Sequence, residues 1–463
     1  MKNLLEYISE NKALVYIDVE TGRKVKYNEI PFNEELQKSS RKKLALLYLD
    51  NSINSVVTLW NLFKSPHAFA LLSPRLDIEF KLQLENAYKP DYIYDPTRKV
   101  IDDYNSVRLV EDVNIFYREL PKKNIHPEIK LMLSTSGTTG SPKFVKLSEQ
   151  NLLRNALSII DYLPIIHEDS TPLNLPIYYS YGLSILTTNS IAGGKIYCTN
   201  KDVLDKRFWS DFENYKYSSL AGVPYLYEML NRIGFTKKHY PSLRYLTQAG
   251  GKLNISFVEI FLEYASQNNI QFFVMYGQTE ATARMSYLPY EKLNEKKGAI
   301  GKAIKDGQFS IDEETSELSY SGPNVFGGYA TKPEDLSDYI YNQTLKTGDM
   351  ARVDEDGFYY ITGRLKRFMK LFGQRVNLDE VETILKNHFQ GITFFSVGIN
   401  DKFLYIGSND SDFKGVDAMK FLSKKLDIHP NFIRYDYLQT IPLTANGKVD
   451  YTGISEILLN KTR

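Results

Sequence analysis

The residues best suited to chemistry crowd into one short stretch, "LMLSTSGTTGSPKFVKLS", Leu131 to Ser148. Gly137 and Gly140 free the backbone for φ > 0 and let N–H groups approach an anion with no Cβ in the way. Ser134, Thr135, Ser136, Thr138, Thr139 and Ser141 add hydroxyl donors, and Lys143 can set a point charge against an outer phosphate. The spacing is neither G-x-x-x-x-G-K-[ST] nor G-x-G-x-x-G, so it is not the P-loop or the dinucleotide fingerprint. On residue chemistry alone the stretch reads as a phosphate cradle or as a Ser/Thr-rich turn.

A loop of this kind needs a scaffold, and 463 residues exceed the size at which single cores split, about 250 to 300 residues, so two or more domains are expected. From "KLALLYLD" through "NSINSVVTLWNLFKS", "HAFALL" and "DYIYD", apolar runs alternate with helix-period segments, the pattern of βαβ units and a parallel sheet. The alternation returns from "SSLAGV" to "IQFFVMYG", and Gly298 to Gly363 reads as a loop-rich β stretch. Beyond it, "LDEVETILKNHF" and "GVDAMKFLSKKL" read as helices, and "ITFFSVGI", "KFLYIGS" and "FIRYDYLQ" as strands of a small α+β domain of about a hundred residues. Lys+Arg 57 against Asp+Glu 56 leaves a formal charge of +1 with no basic arm, which argues against nucleic acid as the main partner. The single cysteine, Cys198, can form no internal disulfide and reads as a small buried apolar residue. No window approaches 18 apolar residues and the N-terminus lacks a cleavage pattern, so a cytoplasmic protein without a membrane span is expected.

The string "STSGTTGSPK" resembles the phosphate loop of the adenylate-forming superfamily, which includes acyl-CoA synthetases, peptide-synthetase adenylation domains and firefly-type luciferases. Further matches follow in that family's order: "PIYYSYGLS" resembles its acyl-pocket motif, "QAGGKL" its adenine-side loop, "YGQTEAT" its adenine and magnesium motif, and "SGPNVFGGYA" its intermediate loop. "KTGDMARVDEDGFYYITGRLKRFMKLFGQRVNLDEVE" resembles its ribose, hinge and thioester-forming segments, and "PLTANGK" its C-terminal lysine loop.

The resemblance implies an α/β fold: a large N-terminal domain (1–364) with parallel-rich sheets, helices and a β-rich subdomain, then a small mobile α+β C-terminal domain (365–463). It implies an AMP-forming acid:thiol ligase, which joins a carboxylic acid to AMP at the expense of ATP-Mg²⁺ and passes the acyl group to the phosphopantetheine thiol of CoA or of an acyl or peptidyl carrier protein. Ser134 to Gly140 and Lys143 would hold the β/γ-phosphates. Glu280 would carry the Mg²⁺, Thr279 would donate to the α-phosphate, and Tyr276 would cover the adenine beside Gly250, Gly251, Gly277 and Gln278. Asp349 would take the ribose hydroxyls, with Ile361 and Arg364 alongside. Lys448 would bridge the substrate carboxylate and the α-phosphate once the C-terminal domain folds over, and rotation about Lys366 would then bring Gly373 to the thiol path. Tyr179, Ser180, Gly182, Val223 and Ala249 would line the acid pocket.

Three departures from the family pattern stand out. Phe144 adds bulk where relatives mostly have Gly, at the exit of a loop expected to move. Tyr179 stands where His is frequent, and Ser180 where amino-acid-activating relatives carry the Asp that pairs an ammonium. An unpaired ammonium in an apolar pocket is costly, so an amino acid substrate is disfavoured. Arg367 and Lys370 read as a solvated basic turn. Alternatives are an adenylating enzyme that delivers to another nucleophile, an amino-acid-activating ligase, a luciferase-like oxygenase and a nucleotide-binding pseudoenzyme.

Overall fold

The structure, a computed structural model, describes residues 2–135, 143–365, 367–371, 374–399, 402–426, 428–443 and 449–461. Of the expected site, Ser136 to Gly140, Lys366, Gly373 and Lys448 lie outside the described residues.

The chain divides into two compact units, Met1–Phe309 with Tyr320–Leu345, and Ser310–Ser319 with Lys346–Arg463. The division falls at Leu345 instead of Arg364. The strands Leu345–Val353 and Tyr359–Arg364, assigned from sequence to the large domain, pair with each other across Asp349 and Arg364, and the Thr347 hydroxyl donates to the Leu318 carbonyl.

In the first unit, an eight-stranded sheet has Leu131–Thr135, Ala68–Leu72, Leu44–Tyr48 and Tyr92–Tyr94 as adjacent parallel strands. Both Leu44–Tyr48 and Ala68–Leu72 are buried at every position, as continuous apolar runs in a parallel sheet covered on both faces must be. A second sheet, again parallel through Ser219–Gly222, Tyr245–Gln248 and Gln271–Tyr276, carries the other half of the site on its strand ends. Ligand groups in open α/β sheets gather at such carboxyl ends.

The Ser/Thr-rich segment begins on one strand and ends on its antiparallel partner, Lys143–Leu147, with Thr135 opposite Lys143 and Ser134 opposite Phe144. Side chains alternate across a strand, so Lys143 and Phe144 face opposite ways. Phe144 is wholly buried among Leu46, Ala70 and Met132, and its ring meets Tyr88 edge-on at 5.3 Å. The expected bulk at the loop exit is therefore bulk in the core, leaving the face of Lys143 clear. Phe144→Ala is expected to destabilise the protein by about 3–5 kcal/mol, measured as a lowered urea midpoint. Unchanged stability with impaired catalysis would instead place the ring's effect on the loop.

In the second unit, helices Leu378–His388 and Gly415–Leu426 pack on a sheet ordered Phe394–Ile399, Phe403–Ser408, Ile433–Tyr437. Their apolar stripes supply Val381, Leu385 and Leu422 to a core with Leu404 and Ile406. A further helix, Tyr451–Lys461, buries Ile454 and Leu458. Arg367 is not a solvated residue. It is 9% exposed, donates to Asp379 Oδ1 at 2.7 Å, Glu382 Oε1 at 2.5 Å and the Ser396 carbonyl at 3.0 Å, and stacks on Tyr451 at 3.4 Å. A charge cluster read along the chain cannot show that two carboxylates arrive from the following helix.

Candidate active site

The strand Gln271–Tyr276 ends where Gly277 turns the chain back. A Cβ on Gly277 would stand 1.8 Å from the Ala283 carbonyl oxygen, so only glycine allows the two backbones to approach this closely. The 3-10 turn Thr279–Ala281 follows, and Thr282 closes it at φ +66°. That conformation is unusual for a β-branched residue and must be held from outside.

Asn324, 1% exposed and drawn from the "SGPN" segment, is what holds it. Its amide donates to the Ala281 carbonyl at 2.8 Å and the Arg284 carbonyl at 3.0 Å, its Oδ1 accepts from the Tyr320 hydroxyl, and its own carbonyl accepts from Thr282 Oγ1 at 2.6 Å. The Phe326 N–H also donates to the Glu280 carbonyl at 2.8 Å. The turn bearing Thr279 and Glu280 is thus fixed at both faces by a segment some forty residues away along the chain.

Lys143 and Glu280 meet through a residue to which the sequence reading gave no role. The Lys143 Nζ stands 3.2 Å from the centre of the Tyr329 ring, and the Tyr329 hydroxyl donates to Glu280 Oε1 at 2.9 Å. Burial, reinforced by the Glu280 carboxylate, pushes the Tyr329 phenol above its ordinary range, so it stays a neutral donor. A cation and a carboxylate thereby share a pivot without neutralising each other directly. Tyr329 sits on the short strand Tyr329–Ala330, which pairs with Phe144 and Val145. Its signal was present in "SGPNVFGGYA", where it is the only residue combining a ring with a donor.

On the acid side, Tyr179 precedes the helix Ser180–Ala192, and Ser180 Oγ lies 3.4 Å from Thr279 Oγ1. Gly250 adopts φ +84°, and a Cβ there would meet the Tyr179 hydroxyl at 3.0 Å and Val223 Cγ1 at 3.1 Å. Tyr179, Val223 and Ala249 join one apolar cluster with Tyr181, Ala221 and Met275. Gly182 has a different duty: its Cβ position lies 2.1 Å from the Pro176 carbonyl oxygen, so it serves the packing of the helix on the preceding loop. Gln248 donates to the Gly251 carbonyl at 2.9 Å, closing the "QAGG" loop. Tyr276 is half-buried and tilts toward Phe309 at 6.5 Å.

In the second unit, Arg364 Nε donates to Asp349 Oδ1 at 3.1 Å; the Arg364 side chain is 60% exposed and the Asp349 side chain 6%. Ile361 is half-buried on the same strand as Arg364.

The donor set fits a magnesium nucleotide. Glu280 offers a hard carboxylate whose second oxygen accepts no hydrogen bond from the described residues, and Lys143 and Thr279 supply a cation and a hydroxyl within the same unit.

A family model described as "AMP-binding enzyme" matches residues 71–330. The chain is 26% identical over 367 residues to oxalate–CoA ligase of Arabidopsis thaliana, spanning 73% of this chain and 69% of that protein. It is 30% identical over 292 residues to 2-succinylbenzoate–CoA ligase of Oceanobacillus iheyensis, spanning 61% of this chain and 59% of that protein. Among solved structures, O-succinylbenzoate coenzyme A synthetase (MenE) of Bacillus subtilis in complex with ATP and magnesium ion matches with a TM-score of 0.74 at 20% identity, over 96% of this chain and 98% of that one. Its large α/β N-terminal part and smaller C-terminal part are the architecture seen here. No helix among the described residues is long and apolar enough to cross a membrane.

Proposed function

The chain belongs to the AMP-binding enzyme family, and from that premise we propose that it is an AMP-forming acid:thiol ligase acting on a small carboxylic acid, with ATP and Mg²⁺ as cosubstrates and CoA as acceptor. A carboxylate resists thiols because an oxide is a poor leaving group. In the first step a carboxylate oxygen attacks the α-phosphorus and pyrophosphate departs. In the second the thiol sulfur attacks the acyl carbon, AMP departs, and the thiol proton is released.

The observation that carries this reading is the Lys143–Tyr329–Glu280 arrangement beside Thr279 and Ser180. Phosphoryl transfer is helped chiefly by charge stabilisation and positioning, and this site gathers a cation, a carboxylate and two hydroxyls around one turn. Lys143 would hold the departing pyrophosphate. The Thr279 hydroxyl would donate to the α-phosphate, and Ser180 would stand where the acid meets it. Mg²⁺, when bound at Glu280, supplies charge neutralisation between the phosphates. Tyr276, Gln278 and the glycines at 250, 251 and 277 would bound the adenine, and Asp349, Ile361 and Arg364 the ribose. Lys366, Gly373 and Lys448 keep the hinge, thiol-path and carboxylate-bridging roles that the resemblance implies.

The relatives' names support CoA as acceptor, and a carrier protein is the alternative. ATP-dependent hydroxamate formation across a carboxylate panel, followed by acyl transfer to CoA and to a phosphopantetheinyl carrier protein, tests the reading. Turnover of at least one acid with CoA is expected. No hydroxamate with any acid would favour a nucleotide-binding pseudoenzyme, and hydroxamate without thioester would favour delivery to another nucleophile.

A further inference from the structure

Four residues beyond Glu280, on the same loop, Arg284 turns its side chain into the molecule and is 3% exposed. Its guanidinium lies over the Tyr181 ring at 3.9 Å, and Nε approaches the Met275 sulfur at 3.4 Å. Among the described residues no carboxylate lies within ion-pairing distance of it. Other buried cations are satisfied in one of two ways: Lys81 pairs with Asp95 and Arg367 with Asp379 and Glu382, while Lys130, which likewise has no carboxylate partner among the described residues, gives its ammonium protons to the Leu62, Ser65 and His67 carbonyls.

Arg284 helps to line a pocket with Tyr181, Ser184, Asn174, Thr247 and Ile185. Asn174 and Thr247 come from the loop and strand that border the expected acid site, and Tyr181 is the residue after Ser180. The reacting end and the pocket are therefore linked at both walls, by Ser180–Tyr181 on one side and Thr279–Arg284 on the other. A guanidinium keeps its charge even when desolvated, and a buried charge without a counter-ion is costly. Stacking on Tyr181 offsets part of that cost, but it leaves the fork of terminal N–H donors suited to a planar anion.

We propose that the acid substrate carries a second carboxylate, which Arg284 binds at the inner end of this pocket while the first carboxylate is adenylated beside Thr279. This rests on the ligase reading above and specifies its substrate class. It also disfavours amino acids for a reason independent of Ser180, since the pocket already holds a cation that would repel an ammonium.

The test is a series of aliphatic and aromatic diacids, each paired with its monomethyl ester, assayed by acid-dependent ATP–pyrophosphate exchange with the full-length protein. For the best diacid, kcat/KM is expected to exceed that of its half-ester by at least about 30-fold, the size of effect seen when one partner of a buried charge pair is removed. Arg284→Gln should collapse this ratio and Arg284→Lys should retain part of it; the wild-type ratio alone decides the matter if either variant fails to fold. Exchange with half-esters equal to or better than diacids would overturn the proposal while leaving the ligase reading intact. Exchange with no acid at all would overturn the ligase reading itself.

Discussion

Glu280→Gln lowers acid-dependent ATP–pyrophosphate exchange by about 10²–10³-fold, the range for removing one preorganised electrostatic group from a transition state. The substitution is nearly isosteric and keeps an oxygen to accept from the Tyr329 hydroxyl, so the pivot between Lys143 and the turn survives. What is lost is the negative charge that would place Mg²⁺ between the phosphates. The expected signature is a raised Mg²⁺ requirement in the first half-reaction, with much smaller change in thiol transfer from a preformed acyl-adenylate. Exchange at the wild-type rate with unaltered Mg²⁺ dependence would remove Glu280 from the metal site.

Lys448→Ala is expected to act more selectively still. If Lys448 bridges the carboxylate and the α-phosphate, its loss nearly abolishes adenylation, because two anions must then meet without the cation between them. Thiol transfer from preformed acyl-adenylate needs no such bridge and should persist. The two half-reactions, assayed separately as pyrophosphate exchange and thioester formation, give the split. Equal loss in both would show that the lysine supports the C-terminal domain as a whole.

The fold class was legible because apolar runs such as "LALLY" and "AFALL" alternate with helix-period segments, and a central parallel strand has few other ways to look in sequence. Lys143 and Glu280 are of types that suit a phosphate and a metal, and the structure brings the two together through Tyr329. The residue between them carried a weaker signal, because Tyr329 contributes through a ring face and one hydroxyl, features shared by the chain's 34 tyrosines. Phe144 lies in the core, not at the loop, for a physical reason. Its chain neighbour Lys143 suggested the loop, whereas strand alternation turns it into the core beside Tyr88. Arg367 is buried where a solvated turn was expected, since its carboxylate partners come from the helix that follows. Arg284 gave no periodic or motif signal; its meaning depends on its burial without a carboxylate partner among the described residues, which only three dimensions can reveal.

Asn324 grips the Arg284 segment by its carbonyl and never by its side chain. Whatever replaces the guanidinium, the main-chain tether to the turn of Thr279 and Glu280 stays in place, with the Ala281 carbonyl held by the same amide. A substitution at 284 can therefore reshape the pocket beside Tyr181 without removing the bonds that hold the Thr279–Glu280 turn in place.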